Sequence, residues 1–182
     1  MKKNILFTVI FLIVGFASFA QKFGYVDSEY ILDNIPEYKT AQEKLDEFSV
    51  QWQKEIEEKF AEIDKLYKAF QAESVLLPED IKKKREDEII QKEKAVKDLQ
   101  KQRFGKDGDL AKKRQELVKP IQDRVYNAIE EIAIAGNYAV IFDSSSNLTM
   151  LYVNSKNDKS NEVLEKLGYA PGKNNKTKVE KK

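Results

Sequence analysis

The chain has 182 residues, of which 35% are charged and 41% are hydrophobic, and it contains no cysteine and no histidine. This composition excludes disulfide frameworks, thiolate nucleophiles, imidazole bases and metal sites with Cys or His ligands. Seven glycines and four prolines are few turn residues for this length, so the high charge indicates long solvated helices.

Residues 1–20 have the pattern of a secretory signal peptide. A short basic start precedes a mostly apolar run over 5–16, and Ser18 and Ala20 are the small residues that a signal peptidase reads. The alternative is an uncleaved membrane anchor, but the run is shorter than the ~20 apolar residues of a span. We therefore expect cleavage after Ala20 and export to the periplasm.

The mature chain begins with a predicted strand over 22–27 and a short helix through Leu32, capped by Asp27. Pro36 suits the first turn of the next helix. From 40 to 70, the large apolar residues share one helical stripe about 120° wide, which is broader than a two-stranded coiled-coil seam. Its members are Leu45, Phe48, Trp52, Ile56, Phe60, Ile63, Leu66, Tyr67 and Phe70.

A second long helix follows a break at residues 74–80. Its apolar phase continues from Ile81 to Ile132 across Gly105 and Gly108, so we predict one uninterrupted helix, kinked at Pro120. The two glycines weaken the same turn. Together with Pro120, they are the candidates for flexibility of this arm.

Opposite charges favour an antiparallel hairpin of the two helices. Residues 37–80 carry a net charge of −6, and residues 81–119 carry +6. Each exposed pair contributes little, but the opposite totals favour side-by-side pairing of the helices. The hairpin then extends for roughly 50 Å, which is too long for burial inside one small domain.

Beyond the helices, Gly136 is expected to end the second one. The apolar runs 138–143 and 148–153 predict two strands of a β-hairpin. A last helix is predicted over 161–167, and the lysine-rich residues 171–182 predict a disordered basic tail.

The predicted fold is therefore α+β. A small β-rich body of about three strands is formed by residues 21–36 and 120–170, and a long antiparallel, coiled-coil-like helical hairpin is formed by residues 37–119. A body of this size has little core, so we expect it to oligomerise.

The order of the parts resembles the OmpH/Skp family of periplasmic chaperones over nearly all of residues 23–167. The parts are GYVDSEYIL, IPEY opening a long charged helix, a return helix, YAVIFD, LTMLYV and a short DKSNEVLEKL helix. The resemblance implies a homotrimer whose helical arms enclose a cavity for unfolded outer-membrane proteins, without ATP or another cofactor. Many relatives are basic, whereas this chain is near neutral, so direct binding of anionic lipid or lipopolysaccharide is not expected.

Two functions are compatible with these features: an ATP-independent holdase for unfolded chains, here called clients, and a passive scaffold or spacer of the cell envelope. Paired acids lie on solvated helix faces, and neither a phosphate-binding loop nor a calcium loop is present. We therefore expect no enzymatic activity, no metal and no nucleic-acid partner.

Eight apolar residues are the candidates for client contact. The alternative is that the stripe members only pack the two helices together and that the rest are ordinary scattered surface residues. At the tip, residues 75–77 either pack against one another or contact client. The candidates are Val50, Trp52, Phe60, Phe70, Leu76, Leu77, Ile90 and Phe104.

Overall fold

The computed structural model describes residues 21–145 and 150–172, which form two compact units. Residues 35–124 make the hairpin unit, and the described residues before 35 and after 124 make the body unit. The predicted signal peptide, and the predicted tail from residue 173 onward, lie outside the described residues. The elements are β1 (Lys22–Val26), α1 (Ser28–Asp33), α2 (Pro36–Glu73), α3 (Glu79–Phe104), α4 (Asp109–Gly136), β2 (Tyr138–Asp143), a 3₁₀ turn (Ser155–Asn157) and α5 (Ser160–Lys166).

The hairpin unit is built on the long helices α2 and α3, which pack against each other in antiparallel order. Pro36 occupies the first turn of α2, as predicted, because a proline there removes no helical hydrogen bond. The 38 residues of α2 span roughly 57 Å. The chain reverses over residues 74–78, and Glu79 and Asp80 then open α3 at the positive end of its dipole.

The return helix is interrupted, so the prediction of one helix through Gly105 and Gly108 was wrong. α3 ends at Phe104, and Gly105 takes an extended conformation with ψ at 168°. A side chain at Gly105 would collide with the carbonyl oxygen of Lys101. The amide of Gly108 donates to the carbonyl oxygen of Gly105 at 2.9 Å, which closes the turn before α4. Pro120 lies inside α4, which continues past it to Gly136.

The body unit contains a parallel pair of strands contributed by distant parts of the chain. β1 and β2 pair with Phe23 opposite Val140 and Tyr25 opposite Phe142. Behind them α1 packs against α5, and the fully buried side chains of this small core are Ile31, Val163 and Leu164.

The predicted strand at 148–153 is not found in its described part, so the body unit has two strands in place of three among the described residues. Residues 150–153 carry no strand, and residues 148 and 149 lie outside the described residues. The side chain of Leu151 is 93% exposed. β2 pairs with β1 instead, and the chain after β2 extends that pairing: the amide of Ser144 donates to the carbonyl oxygen of Val26 at 2.7 Å.

A buried serine attaches α5 to the end of β1. The hydroxyl of Ser160 accepts from the amide of Asp27 at 2.9 Å and donates to the carboxylate of Asp158 at 2.6 Å. The hydroxyl of Tyr25, in contrast, is buried without a hydrogen-bond partner among the described residues. Burial and then the negative charge of Asp158 raise the pKa of Tyr25.

A second polar cluster attaches the start of α1 to the end of β2. The carboxylate of Asp143 accepts from the hydroxyl of Ser28 at 2.7 Å and from the hydroxyl of Ser145 at 2.8 Å, and also from both of their amides. Burial alone would raise the pKa of Asp143, but these hydrogen bonds outweigh it and hold the pKa below its ordinary value.

The two buried hydroxyls give a matched stability test. Ser160→Ala removes the hydroxyl and leaves the amide of Asp27 and the carboxylate of Asp158 without this hydrogen-bond partner, so we expect it to lower the free energy of unfolding by about 1–3 kcal/mol. Tyr25→Phe removes a hydroxyl without a partner, so its effect should stay within about 0.5 kcal/mol or be stabilising. Urea unfolding of both variants measures the difference, and equal losses would contradict the assignment.

The lowered pKa of Asp143 predicts a loss of stability in acid. A carboxyl whose pKa is lower in the folded state stabilises the fold above the unfolded pKa, and this contribution is lost as the pH falls through the folded value. Wild-type protein should therefore lose stability more steeply below pH ~4 than Asp143→Asn does. Thermal unfolding from neutral to acidic pH measures both slopes, and parallel curves would refute the assignment.

Candidate binding surface

Aliphatic side chains between α2 and α3, here called the seam, determine which faces of the hairpin unit stay uncovered. Ile56 and Ile63 of α2 and Ile89 and Val96 of α3 form its buried centre. The helical spacing of apolar residues in the sequence placed three of these four on a stripe, but not Ile89. Partly buried side chains extend the seam, and these are Leu66, Phe70, Leu99 and Phe104.

The stripe on α2 is wider than α3 can cover. Phe60 and Tyr67 belong to the predicted stripe, yet both side chains are exposed. α3 buries only Ile89 and Val96, because most of its sequence is charged. Aromatic surface on α2 therefore remains open beside the seam.

Four of the eight candidate residues are exposed in the structure: Val50, Phe60, Leu76 and Ile90. Val50 is 70% exposed, as expected for a residue away from the stripe. Phe70 and Leu77 are half-buried, and Phe70 packs against the seam. The exposed candidates thus occupy α2, α3 and the tip between them.

The other two candidates, Trp52 and Phe104, pack against other side chains of the hairpin unit. Trp52 is 9% exposed, with the ring of Phe48 stacked at 5.4 Å between centroids and the edge of Phe104 at 6.4 Å. The guanidinium of Arg103 lies 4.9 Å from the centre of the Trp52 ring. The helical spacing placed Phe104 away from the stripe. It could not show that the large ring of Trp52 on α2 reaches Phe104.

Other exposed apolar side chains of the hairpin unit were not among the eight candidates. Val75 is 91% exposed beside Leu76, so the tip presents two adjacent aliphatic side chains. Tyr67 and Ile81 were assigned to the stripes and are nevertheless exposed. The exposure of Val75 could have been predicted from the sequence. Three consecutive apolar residues precede Pro78, and a short chain reversal has no core in which to bury them.

A groove of about 630 Å³ runs beside the seam. Its apolar floor includes Ile63, Val96 and Leu99. The ion pair between Lys92 and Glu62, with 3.1 Å between the charged atoms, forms part of its rim. An apolar floor with a charged rim suits a chain segment that presents apolar side chains on one face.

Ion pairs across the hairpin follow the charge difference predicted from the sequence. In each pair, an acidic residue of α2 meets a basic residue of α3, as in Glu73 with Arg85 at 2.6 Å and Glu55 with Arg103 at 3.3 Å. The pair at Arg85 is exposed, and such pairs contribute about 0–1 kcal/mol each. Their main effect is on the register of the two helices.

Within the described ranges, no group of three or more acidic side chains could hold a metal ion. Over the same residues, the helices contain no stretch that is long and apolar enough to cross a bilayer.

The body unit has a separate apolar surface. Phe23 of β1 and its partner Val140 of β2 are both exposed, as is Phe142. Leu151 and Tyr152 are also largely uncovered. An apolar surface on a two-stranded sheet is typical of a protein–protein interface.

The seam and the open surface should respond differently to truncation. Ile56→Ala creates a cavity at a side chain that is 2% exposed, so we expect a loss of about 2–5 kcal/mol in the free energy of unfolding. Val50→Ala on the same helix should change it by less than about 0.5 kcal/mol. Chemical denaturation followed by circular dichroism gives both values, and a large loss for Val50→Ala would show that this side chain is packed.

The fold and sequence are similar to those of known proteins. The family described as outer membrane protein (OmpH-like) matches residues 22–167. A protein of Aquifex aeolicus (strain VF5), described as uncharacterized, is 34% identical over 161 residues, which cover 88% of this chain and 94% of the relative.

A crystal structure from Caulobacter crescentus CB15, described as an OmpH-like outer membrane chaperone, superposes with a TM-score of 0.63 at 15% identity. The superposition covers 81% of this chain and 84% of the other, which shows a shared fold. The family match spans both the body unit and the hairpin unit, and the chain belongs to the OmpH-like outer membrane protein family.

Proposed function

We propose that the protein is an ATP-independent periplasmic holdase that binds unfolded outer-membrane β-barrel proteins. The observation that carries the proposal is the set of exposed aliphatic and aromatic side chains along the hairpin unit, which includes Val50 on α2, Leu76 at the tip and Ile90 on α3. The described function of the Caulobacter relative as a chaperone supports the same conclusion.

These contacts suit a client that must be held and then released. Burying one Val or Ile side chain contributes at most about 1.5–3 kcal/mol, which is too little to retain a chain by itself. Several such contacts give useful avidity, while each one dissociates quickly. An unfolded β-barrel chain alternates apolar and polar residues, so it offers many equivalent contacts.

Assembly into a homotrimer would multiply these contacts. The body unit supports assembly because its two-stranded sheet exposes Phe23, Val140 and Phe142. A sheet of two strands is marginally stable unless its apolar face is covered. Three copies joined at this surface would bring three hairpin units into one assembly, and release follows when the client folds into the membrane.

Location in the periplasm follows from the predicted export signal at residues 1–20, cleaved after Ala20. Unfolded outer-membrane proteins pass through this compartment. It offers no nucleotide, which agrees with a mechanism based on binding alone.

A passive envelope scaffold is the second candidate. The ion pair between Glu55 and Arg103 and the burial of Trp52 favour it, because both stiffen the hairpin unit. A scaffold needs no open apolar surface, however, and the hairpin unit exposes such surface at the tip and on both helices.

Refolding of a denatured β-barrel protein distinguishes the two functions. We expect the purified protein to run as three chains by native mass measurement and to suppress client aggregation in a light-scattering assay. Suppression should saturate near one trimer per client. Unchanged aggregation at a several-fold excess of trimer would contradict the holdase and leave the scaffold.

A triple variant tests the contact surface itself. Val50→Ser, Leu76→Ser and Ile90→Ser together should raise the client Kd at least about tenfold with little change in thermal stability, because all three side chains are exposed. The matched control is Lys65→Ser, Lys83→Ser and Lys94→Ser, which alters three exposed polar positions of the same unit. Equal effects of the two sets would show that the apolar side chains do not bind the client.

A further inference from the structure

The break between α3 and α4 is spanned by a single arginine. Arg103 lies in the last turn of α3, and its two terminal nitrogens contact different elements. Nη1 pairs with Asp109 at the start of α4 at 2.8 Å, and Nη2 pairs with Glu55 of α2 at 3.3 Å. One guanidinium therefore joins the residues before the break, the residues after it and the opposite helix.

The same guanidinium lies on an aromatic layer. Its carbon is 4.9 Å from the centre of the Trp52 ring, and the edge of Phe104 contacts the same ring. Phe48 stacks on Trp52, and the ammonium of Lys113 on α4 lies 5.7 Å from the Phe48 ring. All three helices of the hairpin unit thus contribute to one cluster.

Burial distinguishes this arginine from the other cations that cross the hairpin. The side chain of Arg103 is 25% exposed, compared with 42% for Arg85 and 39% for Lys92. Solvent and salt screen a partly buried pair less than an exposed one. A planar guanidinium that makes two ion pairs and a ring contact also cannot be replaced equivalently by an ammonium.

The chain at the break has little stiffness of its own. Residues 105–108 are Gly-Lys-Asp-Gly, and the turn is closed by the hydrogen bond from Gly108 to Gly105. Two glycines within four residues allow many backbone conformations. The order of the break therefore depends in part on contacts outside it.

From these contacts we infer that Arg103 acts as a latch on a hinge at residues 105–108. While its pairs with Glu55 and Asp109 are intact, α3 and α4 keep a fixed geometry and Trp52 stays covered. When the pairs dissociate, the hinge bends and Trp52 becomes accessible to water. The latch is independent of client binding, so it applies to a holdase and to a scaffold alike.

The chain contains one tryptophan, so intrinsic fluorescence reports directly on the latch. We expect Arg103→Gln to shift the emission of Trp52 to longer wavelength and roughly to double its quenching by acrylamide, because the ring loses its cover. Arg85→Gln removes the ion pair at the tip and is the matched control, with wild-type emission expected. Wild-type emission and quenching in Arg103→Gln would overturn the inference.

Distances across the hinge give a second measurement. The chain has no cysteine, so spin labels at Lys94→Cys and Gln115→Cys, both exposed positions, report on α3 and α4 without interference. In protein diluted with unlabelled chains, the distance distribution should be narrow with Arg103 and clearly broader in Arg103→Gln. A distribution as narrow as that of wild type would refute the hinge.

Substitutions of the two carboxylates that pair with Arg103 provide a separate test in case Arg103→Gln does not fold. Glu55→Gln and Asp109→Asn each remove one ion pair and leave the arginine in place. We expect each to broaden the distribution by part of the full effect, with helical content by circular dichroism unchanged. Narrow distributions in both would show that the break is ordered without the latch.

Discussion

The difference in apolar width between α2 and α3 is the constraint on which the hairpin unit depends. α2 carries a broad stripe of aromatic and aliphatic side chains, whereas α3 is mostly charged and buries Ile89 and Val96. Two helices of this kind can pair firmly along a narrow seam, yet they cannot cover each other. The same mismatch therefore gives the unit both its stability and its open apolar surface.

Charge has a different role from apolar burial in this molecule. The short reversal at residues 74–78 makes the two helices antiparallel, opposite net charges favour their side-by-side pairing, and exposed pairs such as Arg85 with Glu73 add little energy. At Arg103 the charges are partly buried and also lie against an aromatic ring. Solvent therefore screens the ion pairs at the helix break less than it screens the exposed pair of Arg85 with Glu73.

The sequence predicted what depends on local pattern and missed what depends on distant partners. The helical spacing of the apolar residues placed Ile56 and Ile63 on the stripe, and both are buried. The preference of proline for the first turn of a helix placed the start of α2 at Pro36. The helical spacing of the apolar residues could not reveal the break at 105–108, because the apolar positions stay in phase across it. Nor could it predict that β2 pairs in parallel with β1, since a strand's choice of partner is settled by tertiary structure. The stripe included Trp52, but the residues that cover its ring could not be predicted, because Arg103 and Phe104 belong to another helix.

The parallel pairing of β1 with β2 has a consequence for the order of folding. The two strands lie more than a hundred residues apart in the chain, so β1 has no partner until nearly the whole polypeptide has been made. The contacts between α2 and α3 are closer in sequence and have a smaller loop-closure cost, so they can form first. A nascent chain would therefore acquire its helical hairpin before its sheet, and the exposed apolar surface of the body unit would be completed last.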